Sequence, residues 1–333
     1  MIEHHHTLST NELAFKSIQT EGVHEHEFAL PNNWHAHYDQ ISSGEFKGRI
    51  DQLSIMGIDL IRETTNQSII KRGMLNEDSL TFSMPTNQAE ETFYCDGRKF
   101  SSDNFLFSPA DDLPEIQTST NFSVLCVSVN KAKIFEYLNN QNLDPQFLEK
   151  SQIYPIDNYA AQAEKNNMTG LLNSLLDPQK TSPFLHYSGI QSSIHDTILQ
   201  SVIDLSDHQH EVHLTPMAQK KLVDRAREYV LSCTEAAPSI LELCSILGTS
   251  RRKLQYCFQQ TLGINPIAYL RLIRLNAAHR ELCQADGQTS VQDIASKWGF
   301  MHLSRFAAEY RTLFDELPSQ TLKNAHMNCA KIG

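Results

Sequence analysis

No stretch of about eighteen consecutive apolar residues occurs in the 333-residue chain, so a membrane-spanning helix is not expected. The first residues, Met1-Ile2-Glu3-His4-His5-His6, lack the basic and apolar regions of a secretory signal, and a cytoplasmic location follows as the default expectation. Seven cysteines, an odd number with no C-x-x-C pair, do not read as a disulfide framework or a zinc site. A Gly-rich phosphate loop, a nucleophile elbow and paired catalytic carboxylates are missing as well, which argues against an enzyme. Excess positive charge is the last absence: 28 Lys+Arg stand against 39 Asp+Glu, a net −11 that at first argues against nucleic acid as a partner.

The distribution of that charge reverses the argument. Residues 215–333 carry 15 Lys+Arg and 10 Asp+Glu, a net +5, while residues 1–214 carry 13 and 29, a net −16. An acidic body with a basic C-terminal region suits one domain that meets phosphates and one that does not. The length, too, is that of two domains.

Residues 1–30 are polar, rich in histidine and without clear periodicity, and read as an arm or loosely docked strands; His4-His5-His6 reads as a solvated tail. From about Lys47 to Val129, short alternating apolar runs are bounded by turn residues. Ile50–Ile55, Met56–Ile61, Ser79–Met84, Phe93–Cys95 before the Asp96-Gly97 turn, Asn104–Phe107 and Phe122–Val129 all read as strands. Six or more such strands predict an antiparallel barrel or sandwich; the expectation taken forward is a cupin-like β-barrel, able to hold a small ligand. Helices are predicted over Lys131–Asn140, Asn158–Leu176 and Pro183–Leu205. The last has a stripe of Ile190, Ile194, Ile198 and Val202 that suits either packing on the barrel or a dimer interface. The domains are therefore expected at 1–205 (β-rich 30–130, helical 131–205), a linker at 206–214, and a helical domain at 215–327.

That last region contains one pattern twice. Leu243-Cys244, Leu247-Gly248, Leu254, Phe258, Gly263 and Pro266 are echoed by Ile294-Ala295, Trp298-Gly299, Phe306, Tyr310, Asp315 and Pro318. From the turn glycine to the next apolar anchor the offset is six in the first copy and seven in the second; the later offsets of four, five and three agree. Each copy predicts a helix-turn-helix unit. Ser239 with Glu242 has capping-box spacing, and Ser250 and Ser290 are further N-cap candidates. Asn265-Pro266 opens a connecting helix to about Gln284, roughly 30 Å long at 1.5 Å per residue, close to one turn of duplex. The outward face of the first unit carries Ser250, Arg251, Arg252, Gln255, Tyr256 and Gln259; the second presents His302, Ser304 and Arg305, with Arg311 nearer the backbone. Arg can pair bidentately with guanine and Gln with adenine in a major groove.

The run "SRRKLQYCFQQTLGINPIAYLRLIRLNAAHREL" with "DIASKWGFMHLSRFAAEYRTLFDELPSQTL" resembles the AraC/XylS family of bacterial transcription regulators over roughly the last 110 residues. The resemblance implies a seven-helix DNA-binding domain, promoter half-sites in double-stranded DNA as partner, RNA polymerase contact, activation and a homodimer. It makes Arg252, Gln255 and Tyr256 the base readers of the first unit, with Leu303, Ser304, Arg305 and Ala308 in the matching places of the second. Leu303 and Ala308 have no side-chain donor, so second-unit reading would rest on Arg305, His302 and thymine-methyl contacts. Asp315 stands where the family usually has Gly, and His279 where it commonly has Arg. Tyr38–Gln67, "YDQISSGEFKGRIDQLSIMGIDLIRETTNQ", is similar to the sensor domain of a subgroup that includes the ethanolamine-utilisation regulator. That likeness makes an ethanolamine-like molecule and adenosylcobalamin candidate effectors; no cofactor is expected for DNA binding itself.

The alternative is a metal-dependent cupin-type enzyme with a C-terminal nucleic-acid anchor, since His35-Ala36-His37 would put two imidazoles on one strand face. No further histidine occurs before His186, and His24-Glu25-His26 is equally short of ligands. A redox role for Cys95 with Cys126 is a third reading, whereas Cys244 and Cys257 fit as apolar fillers. The expected fold class is α+β, with a β-barrel sensor domain flanked by helices and an all-α C-terminal domain of two helix-turn-helix units joined by a long helix.

Overall fold

The structure, a computed structural model, describes residues 13–332 apart from 32–33, 76–77, 87–90, 141–147, 178–182, 208–211, 215–216, 234–237 and 286–287. His4-His5-His6 lies outside the described residues. The N-terminal region runs β1 (Ala14–Thr20), α1 (Val23–Ala29), β2 (Trp34–Gln40), β3 (Gly48–Ile55), β4 (Ile58–Thr65), β5 (Ile69–Leu75), β6 (Ser79–Pro85), β7 (Thr92–Cys95), β8 (Arg98–Ser101), β9 (Asn104–Pro109), β10 (Ile116–Gln117) and β11 (Phe122–Asn130). It continues with α2 (Lys131–Asn140), β12 (Gln152–Pro155), α3 (Tyr159–Leu175), α4 (Ser188–Asp207) and β13 (Val212–His213).

The strands form two antiparallel sheets and do not close into the expected barrel. The larger has the order β1-β3-β4-β11-β6-β9-β12-β13, the smaller β2-β5-β10-β7-β8. With four-residue β7 and β8 and a two-residue β10, the smaller sheet is too short to wrap round and lies face to face with the larger. Alternation assigns the faces. One face of the larger sheet, including Leu53, Leu60, Phe82, Phe107, Leu125 and Val127, packs on α2, α3 and α4 through Ile134, Leu138, Met168, Leu172, Ile198 and Val202. Its other face looks across at the smaller sheet.

Several local expectations are corrected. Met56-Gly57 is not the start of a strand; both residues have positive φ (49° and 80°) and form the two-residue turn that pairs Ile55 with Ile58. Within residues 1–30, β1 pairs with β3 along its whole length, and α1 buries Val23, His24, His26 and Ala29. On α4, Ile198 and Val202 belong to the core while Ile190 is exposed, so the stripe packs mainly on the sheet. Around the expected linker, α4 continues through Asp207 and β13 pairs with β12.

The C-terminal region is helical: α5 (Ala218–Ser232), α6 (Ile240–Leu247), α7 (Arg251–Leu262), α8 (Pro266–Gln284), α9 (Val291–Lys297), α10 (Leu303–Phe314) and α11 (Pro318–Ile332). Thr215-Pro216 lies outside the described residues. Leu243, Leu254, Phe258, Tyr269 and Ile273 form one core; Leu275, Leu282, Ile294, Phe306 and Tyr310 belong to the other. Phe258 and its counterpart Tyr310 are both fully buried, as is Phe306, and cutting either Phe to Ala should cost about 3–5 kcal/mol.

Candidate nucleic-acid interface

The first unit is built by caps. Ser239 accepts from the Glu242 N–H (3.2 Å) while the Glu242 carboxylate accepts from the Ser239 N–H (2.8 Å), closing the predicted capping box. Gly248 ends α6 in the left-handed region at φ 62°, where a Cβ is disfavoured. Ser250 then caps α7 by accepting from Lys253 N–H at 3.2 Å. Leu254, Cys257, Phe258, Thr261 and Leu262 turn inward. The opposite face therefore carries Arg251, Arg252, Gln255 and Tyr256, all exposed, next to an exposed Ser250.

The second unit has the same plan with one residue more. Two residues, Phe300 and Met301, lie between Gly299 (φ 70°) and the cap position His302, against one, Thr249, between Gly248 and Ser250. The extra position is Phe300, 6% exposed, which packs on Phe306 at 4.9 Å and lies under the Arg274 guanidinium at 5.1 Å. This explains why the anchor offset is seven in this copy and six in the first. His302 makes no side-chain cap, so it is free to face outward with Leu303, Ser304, Arg305 and Ala308. Arg305 donates to Glu309 (2.9 Å), which also pairs with Arg271 of α8, so this arginine is partly committed within the fold. Arg311 is exposed in the last turn. Asp315 takes the left-handed position at φ 60°, as a Gly would. His279 does not face outward: it is buried against Phe314 (4.3 Å), and burial lowers its pKa, keeping the ring neutral.

Sequence reading missed two parts of this surface. Lys221 and Arg225, one turn apart on α5, line a groove with Thr249, Lys253 and Tyr256 beside α7. Neither they nor Arg251, Arg252 and Lys253 have a carboxylate partner among the described residues, so their charge is available to phosphates. Met301, 71% exposed, extends the apolar tip of α10 beside Leu303. The basic i, i+4 spacing on α5 was the signal for the first.

The other face of α5 is spent differently. Lys220 (3.3 Å) and Arg227 pair with Glu115 of the N-terminal domain, which also lies 3.5 Å from Arg72. Burial raises the Glu115 pKa, but Lys220, Arg227 and Arg72 outweigh it and hold the carboxyl below its usual range. From α8, Arg280 reaches Glu27 (3.2 Å), Asp39 (3.3 Å) and the Tyr38 carbonyl (3.0 Å). Asn276 donates to the Gln40 carbonyl and accepts from the Gln40 N–H, both at 2.8 Å, so a side-chain amide pairs with the edge strand β2. The N-terminal domain also holds the trailing ends of both outward-facing helices. Gln117 donates to the Leu262 carbonyl of α7 (3.1 Å); Gln40 (2.7 Å) and the Gly44 N–H (3.0 Å) donate to the Leu313 carbonyl of α10. These carbonyls have no partner within their helices. The clamp leaves the leading ends, with Arg252 and Ser304, uncovered.

Between the two sheets lies a cavity of about 110 Å³, lined by inward-facing residues of both, among them Tyr38, Glu63, Lys71 and Ser108. His35 and His37 share the other face of β2, as alternation requires, and His37 pairs with Asp39 at 3.6 Å. Among the described residues no group of three His, Cys, Asp or Glu is placed to hold a metal, and no helix is long and apolar enough to cross a membrane. Cys95 and Cys126 are free and sit in separate clusters; burial pushes the Cys126 thiol up to about 12, disfavouring the reactive thiolate. Cys244 and Cys257 are buried fillers.

Residues 243–324 match the family described as the Helix-turn-helix domain. The chain is 28% identical over 137 residues to the probable thc operon regulatory protein of Rhodococcus erythropolis, covering 40% of this chain and 41% of that protein. It is 31% identical over 109 residues to XylDLEGF operon transcriptional activator 2 of Pseudomonas putida, covering 32% of this chain and 68% of the activator. Among solved structures, the AraC-like transcriptional activator CuxR aligns over 80% of this chain and 96% of its own at 16% identity, with a TM-score of 0.41. The chain thus spans less than half the length of the Rhodococcus relative it matches.

Proposed function

The chain belongs to the AraC/XylS type of helix-turn-helix transcriptional regulators, and from that premise we propose that it reads a promoter through α7 and α10 under the control of a small effector. The observation that supports this most is the exposed Arg251, Arg252, Gln255 and Tyr256 on the leading half of α7, uncovered although the trailing end of the same helix is held by Gln117 of the N-terminal domain. The 19 residues of α8 span roughly 28 Å, which suits recognition helices in successive major grooves on one side of a duplex. The first unit supplies most of the specificity, because its readers are free whereas Arg305 is tied to Glu309. The second adds affinity and orientation, with Met301 and Leu303 suited to thymine methyl groups.

The cavity between the sheets is the effector site in this reading, and the docked face of the smaller sheet is the route by which occupancy biases the DNA-binding domain. The ethanolamine and adenosylcobalamin expectations rest on the Tyr38–Gln67 resemblance. A corrinoid does not fit a cavity of about 110 Å³, smaller than the roughly 150 Å³ that takes one benzene ring. Activation, RNA polymerase contact and homodimerisation are part of the same proposal.

Selection of bound duplexes from a random pool by the full-length chain tests the reading. The expected product is a bipartite site, two blocks separated by roughly 10 base pairs centre to centre, the block under α7 better defined. Recovery of no enriched sequence would refute it.

A further inference from the structure

The inward faces of the two sheets give the cavity mostly apolar walls, such as Ile61, Phe93, Leu106 and Val124. Its polar groups are unusual in balance. The Trp34 indole N–H and the Ser108 hydroxyl both line the cavity, are buried, and have no hydrogen-bond partner among the described residues. Native interiors pair the great majority of such groups, so two in one cavity, one from each sheet, point to a missing partner. The ammonium of Lys71 also lies here, 5.6 Å from the Tyr38 ring and 5.9 Å from that of Phe122, with one of its three protons directed at Glu63. Glu63 is the cavity's carboxylate, and its charge is already matched. His26 meets it at 3.3 Å and Lys71 pairs with it. The Trp34 N–H, which can only donate, is therefore left without an acceptor, and the Lys71 ammonium in the same cavity has donor capacity beyond its pairing with Glu63.

We propose that the cavity takes a small, mainly apolar molecule whose polar end is an oxygen acceptor, a carboxylate or a carbonyl, received by Trp34 Nε1 and Ser108 Oγ with Lys71 nearby. This rests on the reading of the N-terminal domain as the effector domain, and it deepens that reading by fixing the chemistry of the head group. An ammonium head would leave the Trp34 N–H unpaired and add a second positive charge to a cavity that already holds the Lys71 ammonium, and the ligand is selected against it. Size limits the apolar part to something no larger than a single small ring or a short chain.

Calorimetric titration of the full-length protein with pentanoate, 2-pentanone and pentylamine tests the proposal, since these share a length and differ in head group. Saturable binding of pentanoate or 2-pentanone, with pentylamine at least about tenfold weaker, is the expected result. Trp34→Phe keeps the ring and deletes the N–H, and Ser108→Ala deletes the hydroxyl. Each should weaken the acceptor probe by about three- to tenfold. Pentylamine binding as tightly as pentanoate, or unchanged affinity in both variants, overturns the head-group assignment while leaving an effector site in place. Absence of binding by all three overturns the cavity as the site. Neither result touches the DNA reading, because duplex selection is carried out without any of these compounds.

Discussion

Asn276→Ala removes the contact by which α8 engages the edge of β2. The side chain is 2% exposed, and its two bonds of 2.8 Å satisfy both backbone groups of Gln40. After truncation, the Gln40 N–H and C=O both lose their protein partner at a buried site. Leaving a buried backbone group unpaired costs about 1–3 kcal/mol, so the docked state should lose about 2–4 kcal/mol after partial relaxation. The loss belongs to docking, since the two cores of the C-terminal helices are formed chiefly by other residues. Hydrogen exchange at the Gln40 amide reads it directly: a loss of 2 kcal/mol corresponds to about 30-fold faster opening. Protection within α6 and α7 should change far less. A change at Gln40 of under about threefold would show that the domains are not held together by this contact.

Acidification should loosen both the N-terminal domain, through Glu63 inside the cavity, and the seam, through Glu115. Glu63 has its pKa lowered from 4.5 to about 2, because Lys71 and His26 outweigh its burial, and Glu115 is lowered by Lys220, Arg227 and Arg72. A depressed carboxylate contributes stability above its unfolded pKa and loses it as pH falls through the folded value, so stability should decline from about pH 4.5 down to about 2. Denaturant melts that are flat across that interval would contradict the ion-pair assignment. On the DNA side, Arg311→Ala should weaken all duplexes alike and reduce the salt slope of binding by about 1, measured by anisotropy at several ionic strengths. A sequence-dependent loss would make Arg311 a base reader instead.

What was legible in the sequence was local. Ser239 with Glu242, Gly248, Ser250, Asn265-Pro266 and Asp315 each follow short-range capping or left-handed rules, so the helix boundaries and the exposed face of α7 could be read directly. What was not legible depends on partners far along the chain. β5 reads Ile-Ile-Lys-Arg-Gly-Met-Leu and shows no apolar alternation, because Lys71 faces Glu63 inside the cavity while Arg72 faces Glu115 and Asp39 at the seam. The charge asymmetry was read as phosphate attraction, with a chance asymmetry of surface charge as the alternative. Part of it, Lys220, Arg227 and Arg280, neutralises Glu115, Asp39 and Glu27 across the domain boundary. The barrel expectation failed because counting strands does not reveal that β10 has only two residues and cannot carry one sheet into the other.

The most direct measurement compares full-length protein with Arg252→Ala and Gln255→Ala on the selected duplex and on a scrambled duplex at one fixed salt concentration. If α7 reads bases, each substitution should cost about 1–3 kcal/mol on the selected site, roughly 5- to 150-fold in Kd, and leave scrambled DNA nearly unchanged. Equal losses on both duplexes would make these side chains phosphate contacts and contradict sequence reading through α7.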